Sequence, residues 1–162
     1  MSVATKAIWP TTCLASEQLD ETRAQLIKSG FTIFELPGER VVTLEAFFSV
    51  AACVLPADPP LSGRPNIDAF LDSIWEGISC LHAETIALLW SNADVLMERS
   101  FQDVLIVVDL FHDIARSLRN NRAGGIPNLQ FYVLLFGKGV QFPRIKLQWN
   151  GYNLVDESVV IT

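Results

Sequence analysis

Gly63-Arg-Pro-Asn-Ile-Asp-Ala-Phe-Leu-Asp-Ser-Ile74 decides how the chain is read, because it carries two patterns at once. Ile67, Phe70, Leu71 and Ile74, continued by Ile78, recur at helical spacing and predict an amphipathic helix over residues 67–79. Asn66 stands just before them, where a side-chain oxygen can accept from a free backbone N–H of the first turn. Asp68, Asp72 and Glu76 return every four residues, so the helix presents these carboxylates as one ridge away from its apolar face. Like charges at that spacing oppose helix formation by about 0.2–0.5 kcal/mol per pair. Only Asp68 lies close enough to the N-terminus for the helix dipole to offset this. The ridge is therefore a candidate binding surface, with an ordinary solvated helix face as the alternative.

Working outward, strands and helices alternate. Upstream, Ser16 followed by Leu19, Ala24, Leu26 and Ile27 reads as a short helix, with Glu17, Asp20 and Glu21 in its first turn and Gly30 as its stop. Residues 31–36 alternate as a strand ended by Pro37-Gly38, and Thr43 caps a helix over residues 44–54. Residues 56–65, rich in Pro, Gly and Ser, form a loop. Downstream, residues 85–90 read as a buried strand, and Ser91 and Asn92 offer caps for a short helix ending near Arg99. Ser100, with Asp103 three residues on, opens a helix to about Asn121. Its centre, residues 104–108, is rich in β-branched side chains, yet Leu105, Val108, Phe111, Ala115 and Leu118 keep the helical period. Gly124-Gly125-Ile126-Pro127 is a loop, and residues 129–136 form an apolar strand.

Apolar strands without alternation are covered on both faces. The expected class is α/β: a small parallel β-sheet flanked by helices, with an N-terminal helix and a C-terminal β-hairpin. In that hairpin residues 144–149 turn at Asn150-Gly151 and return over residues 154–161. The expected division is an N-terminal helical extension over residues 1–30, an α/β domain over 31–137 and the hairpin extension over 138–162.

Half of the 162 residues are hydrophobic, enough for a sizeable core and too many for a disordered chain. No apolar run reaches the ~18–20 residues needed to span a membrane. Residues 1–15 lack the apolar block of a signal peptide, so a cytoplasmic location is expected. Cys13, Cys53 and Cys80 are odd in number and form no C-x-x-C pair, which predicts reduced core thiols and no metal site.

The net charge is −6 and unevenly placed. Residues 56–113 carry Asp58, Asp68, Asp72, Glu76, Glu84, Asp94, Glu98, Asp103, Asp109 and Asp113 against Arg64 and Arg99, whereas residues 114–150 carry only basic groups. So acidic a middle repels nucleic acid and attracts basic partners, unless it is merely a solvated surface.

Enzyme readings find little support. His82-Ala-Glu84 opens a zinc-deaminase pattern, but the P-C-x-x-C that must follow is missing. His112 beside Asp113 has no nucleophile elbow to serve. Gly124-Gly125 follows a helix where a phosphate loop opens one. Asp68 and Asp72 could pair for glycoside hydrolysis, but Trp75, Trp90 and Trp149 read as core or partly buried anchors more readily than as sugar platforms.

The run Gly63, Asn66-Ile67-Asp68-Ala69-Phe70, Asp72 resembles the loop–helix motif of the barstar family, in which Gly and Asn precede a hydrophobic-Asp-Ala-hydrophobic-x-Asp helix. The likeness continues in consistent order over about residues 31–136. It takes in the first strand, the helix beginning Thr43-Leu44, Leu55-Pro56, the strand ending in Trp90, the helix carrying Phe111-His112-Asp113 and the apolar strand through Phe136. The resemblance implies a ribonuclease inhibitor or immunity protein, with no cofactor, metal or enzymatic activity. By position, Asp68, Asp72 and Asp113 would enter the nuclease's basic active site, Asp113 standing where the family uses a longer Glu. Glu76, Asn66, Gly63, Arg64 and Leu71 complete the expected contact surface. The physical logic is mimicry, with fixed carboxylates occupying the places where Arg, Lys and His hold phosphates.

The partner so implied is a cognate basic ribonuclease or nuclease toxin domain, bound by a bacterial antitoxin that is monomeric when free and engages neither nucleic acid nor membrane. The chain also departs from the pattern. Leu61-Ser62 replace aromatic residues, the loop over residues 56–63 is longer, one residue is inserted between Gly63 and Asn66, and Leu71 stands where an aromatic often precedes the second Asp. These changes surround the contact surface and point to a partner other than barnase. The rival expectation is a non-inhibitory interaction or regulatory module on the same fold.

Overall fold

The computed structural model describes residues 11–61, 66–120, 129–145, 147–150 and 153–156. Its elements in chain order are β1 (Thr11–Ala15), α1 (Leu19–Lys28), β2 (Thr32–Pro37), α2 (Leu44–Val54), α3 (Ile67–Ser79), β3 (Thr85–Ser91), α4 (Asp94–Arg99), α5 (Phe101–Asn120), β4 (Gln130–Gly137), β5 (Leu147–Asn150) and β6 (Asn153–Asp156). Short 3-10 turns cover Ser16–Gln18, Gly38–Arg40 and Phe142–Arg144.

The sheet is four-stranded, in the order β1-β4-β3-β2, and each of its neighbouring pairs is parallel. This order explains where the helices lie. Parallel crossovers are right-handed, and the path β2→β3→β4 steps in one direction, which sends α2, α3 and α5 to the same face. The path from β1 to β2 crosses the sheet in the opposite direction, so the same hand puts α1 on the other face. The core follows that division. Ile86, Leu88, Trp90, Phe131, Val133 and Leu135 pack under α2, α3 and α5. Ala87, Leu89, Leu134 and Phe136 pack with Leu26 of α1. Alternate residues of β3 thus enter different clusters, and both are fully buried, as covered parallel strands require. The expected α/β class with its C-terminal hairpin is what the structure shows.

Phe47 of α2, completely buried, ties the larger layer together. Its ring centroid lies 5.8 Å from Phe70 of α3, 5.9 Å from Trp90 of β3 and 5.6 Å from Phe111 of α5. One aromatic contact therefore fixes the two helices that carry the acidic residues against the same strand. Arg23 of α1 binds Glu35 of β2 and, at 2.7 Å, Asp20. Both pairs are largely exposed and contribute little.

Local signals set several boundaries. Thr43 Oγ1 accepts from the Ala46 N–H at 3.0 Å, and Ser100 Oγ accepts from the Asp103 N–H at 3.2 Å. Helix α4 departs from expectation: its N-cap is Ala93, without a side-chain bond, so neither Ser91 nor Asn92 caps it. Asn92 instead adopts φ +49 and its amide donates to Glu39 Oε2 at 3.1 Å. Asn tolerates the left-handed region better than most residues, which is why a residue with capping character serves as a turn. The thiols need correcting as well: Cys13 is buried, but Cys53 and Cys80 are exposed, because Cys53 falls off the apolar face of α2 and Cys80 stands past the last turn of α3.

Strand β1 has no counterpart in the sequence reading, which places only a helix before residue 31. It pairs with β4 from Thr11↔Val133 to Ala15↔Gly137. In the hairpin, Leu147 pairs with Asp156 and Asn150 with Asn153, and β6 lies beside α5. The 121–128 loop, the Gly151 turn position and the return beyond Asp156 fall outside the described residues. No described helix is long and apolar enough to cross a membrane.

Candidate partner-binding site

Asn66 Oδ1 accepts from the Ala69 N–H at 2.7 Å and so fixes where α3 begins. Asn66→Ala should lower stability by about 1 kcal/mol, measurable by urea denaturation; an unchanged midpoint would mean that the start of α3 is set elsewhere. From this cap, Phe70, Ile74 and Ile78 are carried to the fully buried face. Asp68, Asp72 and Glu76 are all exposed.

A groove of ≈ 270 Å³ is lined by Leu71, Asp72, Trp75, Asp113, Ile114 and Ser117. The structure therefore unites Leu71, Asp72 and Asp113, three of the residues singled out in the sequence, across two helices. Asp68 stands one turn before Asp72 on the same exposed side. Glu76 departs from this group. Because i, i+4 rows wind by about 40° per step, its carboxylate turns away from Leu71 and Trp75, and its ligand-capable atoms come within 4.8 Å of those of Asp58 and Cys80. That trio is wholly exposed and lies off the groove. Gly63 and Arg64 lie outside the described residues.

Sequence reading missed Ile114 and Ser117 and gave Trp75 no contact role. The signal was available one helix at a time, since Trp75 follows Leu71, and Ser117 follows Asp113, by one i, i+4 step. Trp75 packs partly buried against the main core, and its Nε1 finds no acceptor among the described residues. Apolar contact, not a hydrogen bond, places its ring beside the carboxylates.

The electrostatics of α5 are crowded. Asp113 accepts from Arg116 at 2.7 Å, with the two side chains 41% and 51% exposed. Asp109, one turn earlier, has a buried Oδ1 with no partner among the described residues. Burial raises its pKa above the ordinary 3.8, the negative charge of Asp113 adds to this, and Arg116 opposes it. His112 is shifted below the ordinary 6.5, first by burial and then by Arg116; Asp113 opposes the shift and Arg119 adds to it.

An acid whose folded pKa is raised binds protons better when folded, so its burden on stability is absent below 3.8 and grows as pH rises toward the folded value. Asp109→Asn should therefore raise Tm at pH 7, with the gain fading as pH falls through the raised folded value and gone below 3.8. Thermal melts across that range check it; a gain equally large at low pH would assign the effect to something other than charge.

Carboxylates from two helices beside the Trp75 indole define a small α/β protein with an acidic groove. The particular family follows from the sequence: the chain matches the family described as Barstar (barnase inhibitor) over residues 31–129, more than half its length, and belongs to it. No curated protein and no solved structure matched the chain. Members of this family are inhibitors, not enzymes, and bind a ribonuclease partner.

Proposed function

We propose that this protein is an inhibitor of the immunity or antitoxin type, which occludes the basic active site of a cognate ribonuclease toxin with the face formed by α3 and α5. The observation that carries the reading is the convergence of Asp72 and Asp113 on one groove beside Leu71 and Trp75. Asp68 extends the acidic surface by one turn. Ribonucleases hold phosphate with cationic side chains, and fixed carboxylates backed by apolar walls can take those places once water is excluded. Attraction between an acidic face and a basic cleft also speeds encounter, and salt slows it.

Gly63, Arg64 and Asn66 complete this contact, whereas Glu76 serves its rim. The protein acts in the cytoplasm as a monomer until it meets the nuclease. The test is direct. The purified chain is added to the ribonuclease captured from its native host, and cleavage of a fluorogenic RNA is followed. Stoichiometric inhibition is expected. Capture of a partner whose activity is unchanged would favour the rival reading, an interaction module without inhibitory function.

A further inference from the structure

We infer that Ile67 is a partner-contacting residue: with Leu71 and Trp75 it forms an apolar row that docks on the wall with which the ribonuclease holds an RNA base. This rests on the reading of the groove as the ribonuclease-binding site and adds to it what lies beside the acids.

Helical spacing counts Ile67 with Phe70 and Ile74 as core-facing, yet Ile67 is 45% exposed while those two are fully buried. Leu71 and Trp75 lean against the main core and line the groove. Ile67 stands one i, i+4 step before Leu71 and outside that core. Ile27, Leu81 and Val140 are also exposed among the described residues, and none of them lies on α3. The row of Ile67, Leu71 and Trp75 runs next to that of Asp68 and Asp72. Both wind around α3 at the same pitch, about 6 Å along the axis per step, so they stay side by side.

The acids decide what covers the apolar row. They repel a second copy of this chain and draw a cationic cleft. In a ribonuclease the cations that hold phosphate stand next to the surface that holds a base, since every nucleotide carries both. Bases are held by stacking on aromatic and apolar faces. A helix that fills phosphate sites with carboxylates therefore lays its adjoining apolar row on that face, and covering Ile67 there removes exposed apolar surface from water.

Ile67→Ser, Ile67→Met and Ile27→Ser test this on the ribonuclease captured from the native host. Ile67→Ser should weaken inhibition about tenfold, from lost apolar burial. Its salt dependence should match the wild type, because no charge is lost, and its urea midpoint should stay close, because the side chain is exposed in the free protein. Ile67→Met should keep affinity within about threefold. Ile27→Ser, 61% exposed on the far face of the sheet, should barely change it. The base site is tested by mutual exclusion. A mixture of the standard ribonucleosides, at the concentration that alone halves RNA cleavage, should raise the wild-type inhibition constant about twofold, as mass action requires of ligands sharing one site. Ile67→Ser as potent as the wild type, or an inhibition constant indifferent to nucleosides, overturns the inference. So does a wild-type chain that sediments as a dimer and becomes monomeric on Ile67→Ser, since the row would then be a self-contact. A host ribonuclease that the wild-type chain leaves active is a different failure: it sinks the inhibitor reading itself, and this inference with it.

Discussion

Asp72→Ala should weaken binding to the target ribonuclease by about 150-fold, roughly 3 kcal/mol, while leaving the fold almost untouched. The size of the loss comes from what is left behind. In the proposed complex the groove closes over a cation of the partner, and the groove's walls include Leu71, Trp75 and Ile114. Removing its carboxylate strands a desolvated charge, which costs far more than the net value of the pair. The small effect on stability comes from the free protein, where Asp72 is exposed on α3. Its flanking i, i+4 neighbours Asp68 and Glu76 repel it, and Ala is the better helix former, so the variant should melt within about 0.5 kcal/mol of the wild type or slightly above it. Inhibition constants and thermal melts on the same preparations separate the two quantities. Glu98→Ala, an exposed acid on α4, provides the charge control and should barely alter affinity. Unchanged inhibition by Asp72→Ala would remove the acidic ridge from the binding surface altogether.

The part of this site that was legible in the sequence is the part that depends on one helix. Spacing alone separates Phe70, Ile74 and Ile78 from Asp68 and Asp72, because a period near 3.6 assigns each residue a side before any neighbour is known. The same rule carries α5 through its β-branched centre. What spacing cannot supply is which helices lie side by side. Asp72 and Asp113 share a groove because Phe47 holds both Phe70 and Phe111, and that contact is tertiary. A four-residue repeat looks straight on paper and so puts Glu76 on the ridge, whereas on a helix it drifts around the axis toward Asp58. Strand β1 was hidden for a related reason. Its five residues, Thr11–Ala15, carry a weak pattern of their own and become a strand by pairing with β4, far along the chain. The resemblance to the barstar family began at residue 31, and the family match begins there too, so neither drew attention to it.

Gly77→Ala should destabilise the protein by about 2 kcal/mol, against the direction that helix propensity alone predicts. In an isolated helix this replacement stabilises by roughly 1 kcal/mol, since Gly is a poor helix former. Here the backbone of the preceding segment lies directly on the glycine: a Cβ at residue 77 would come 2.4 Å from the Pro56 carbonyl oxygen, 2.5 Å from its carbon and 2.7 Å from the Ala57 nitrogen. These are backbone atoms of a proline-containing segment, held in place by the Asp58 N–H bond to the Ser73 carbonyl at 2.9 Å. They cannot swing aside as a flexible side chain would, so either α3 shifts or the segment lifts and that bond is lost. Both outcomes disturb the approach to Asn66 and thus the start of the helix that presents Asp68 and Asp72. The signature should be the reverse of that of Asp72→Ala: a lower urea midpoint, with affinity for the ribonuclease reduced only severalfold under conditions where the variant is still folded. If Gly77→Ala instead raised the midpoint, the close packing of the Pro56–Ala57 backbone on α3 would be wrong, and the loop could not be what fixes the acidic helix in place.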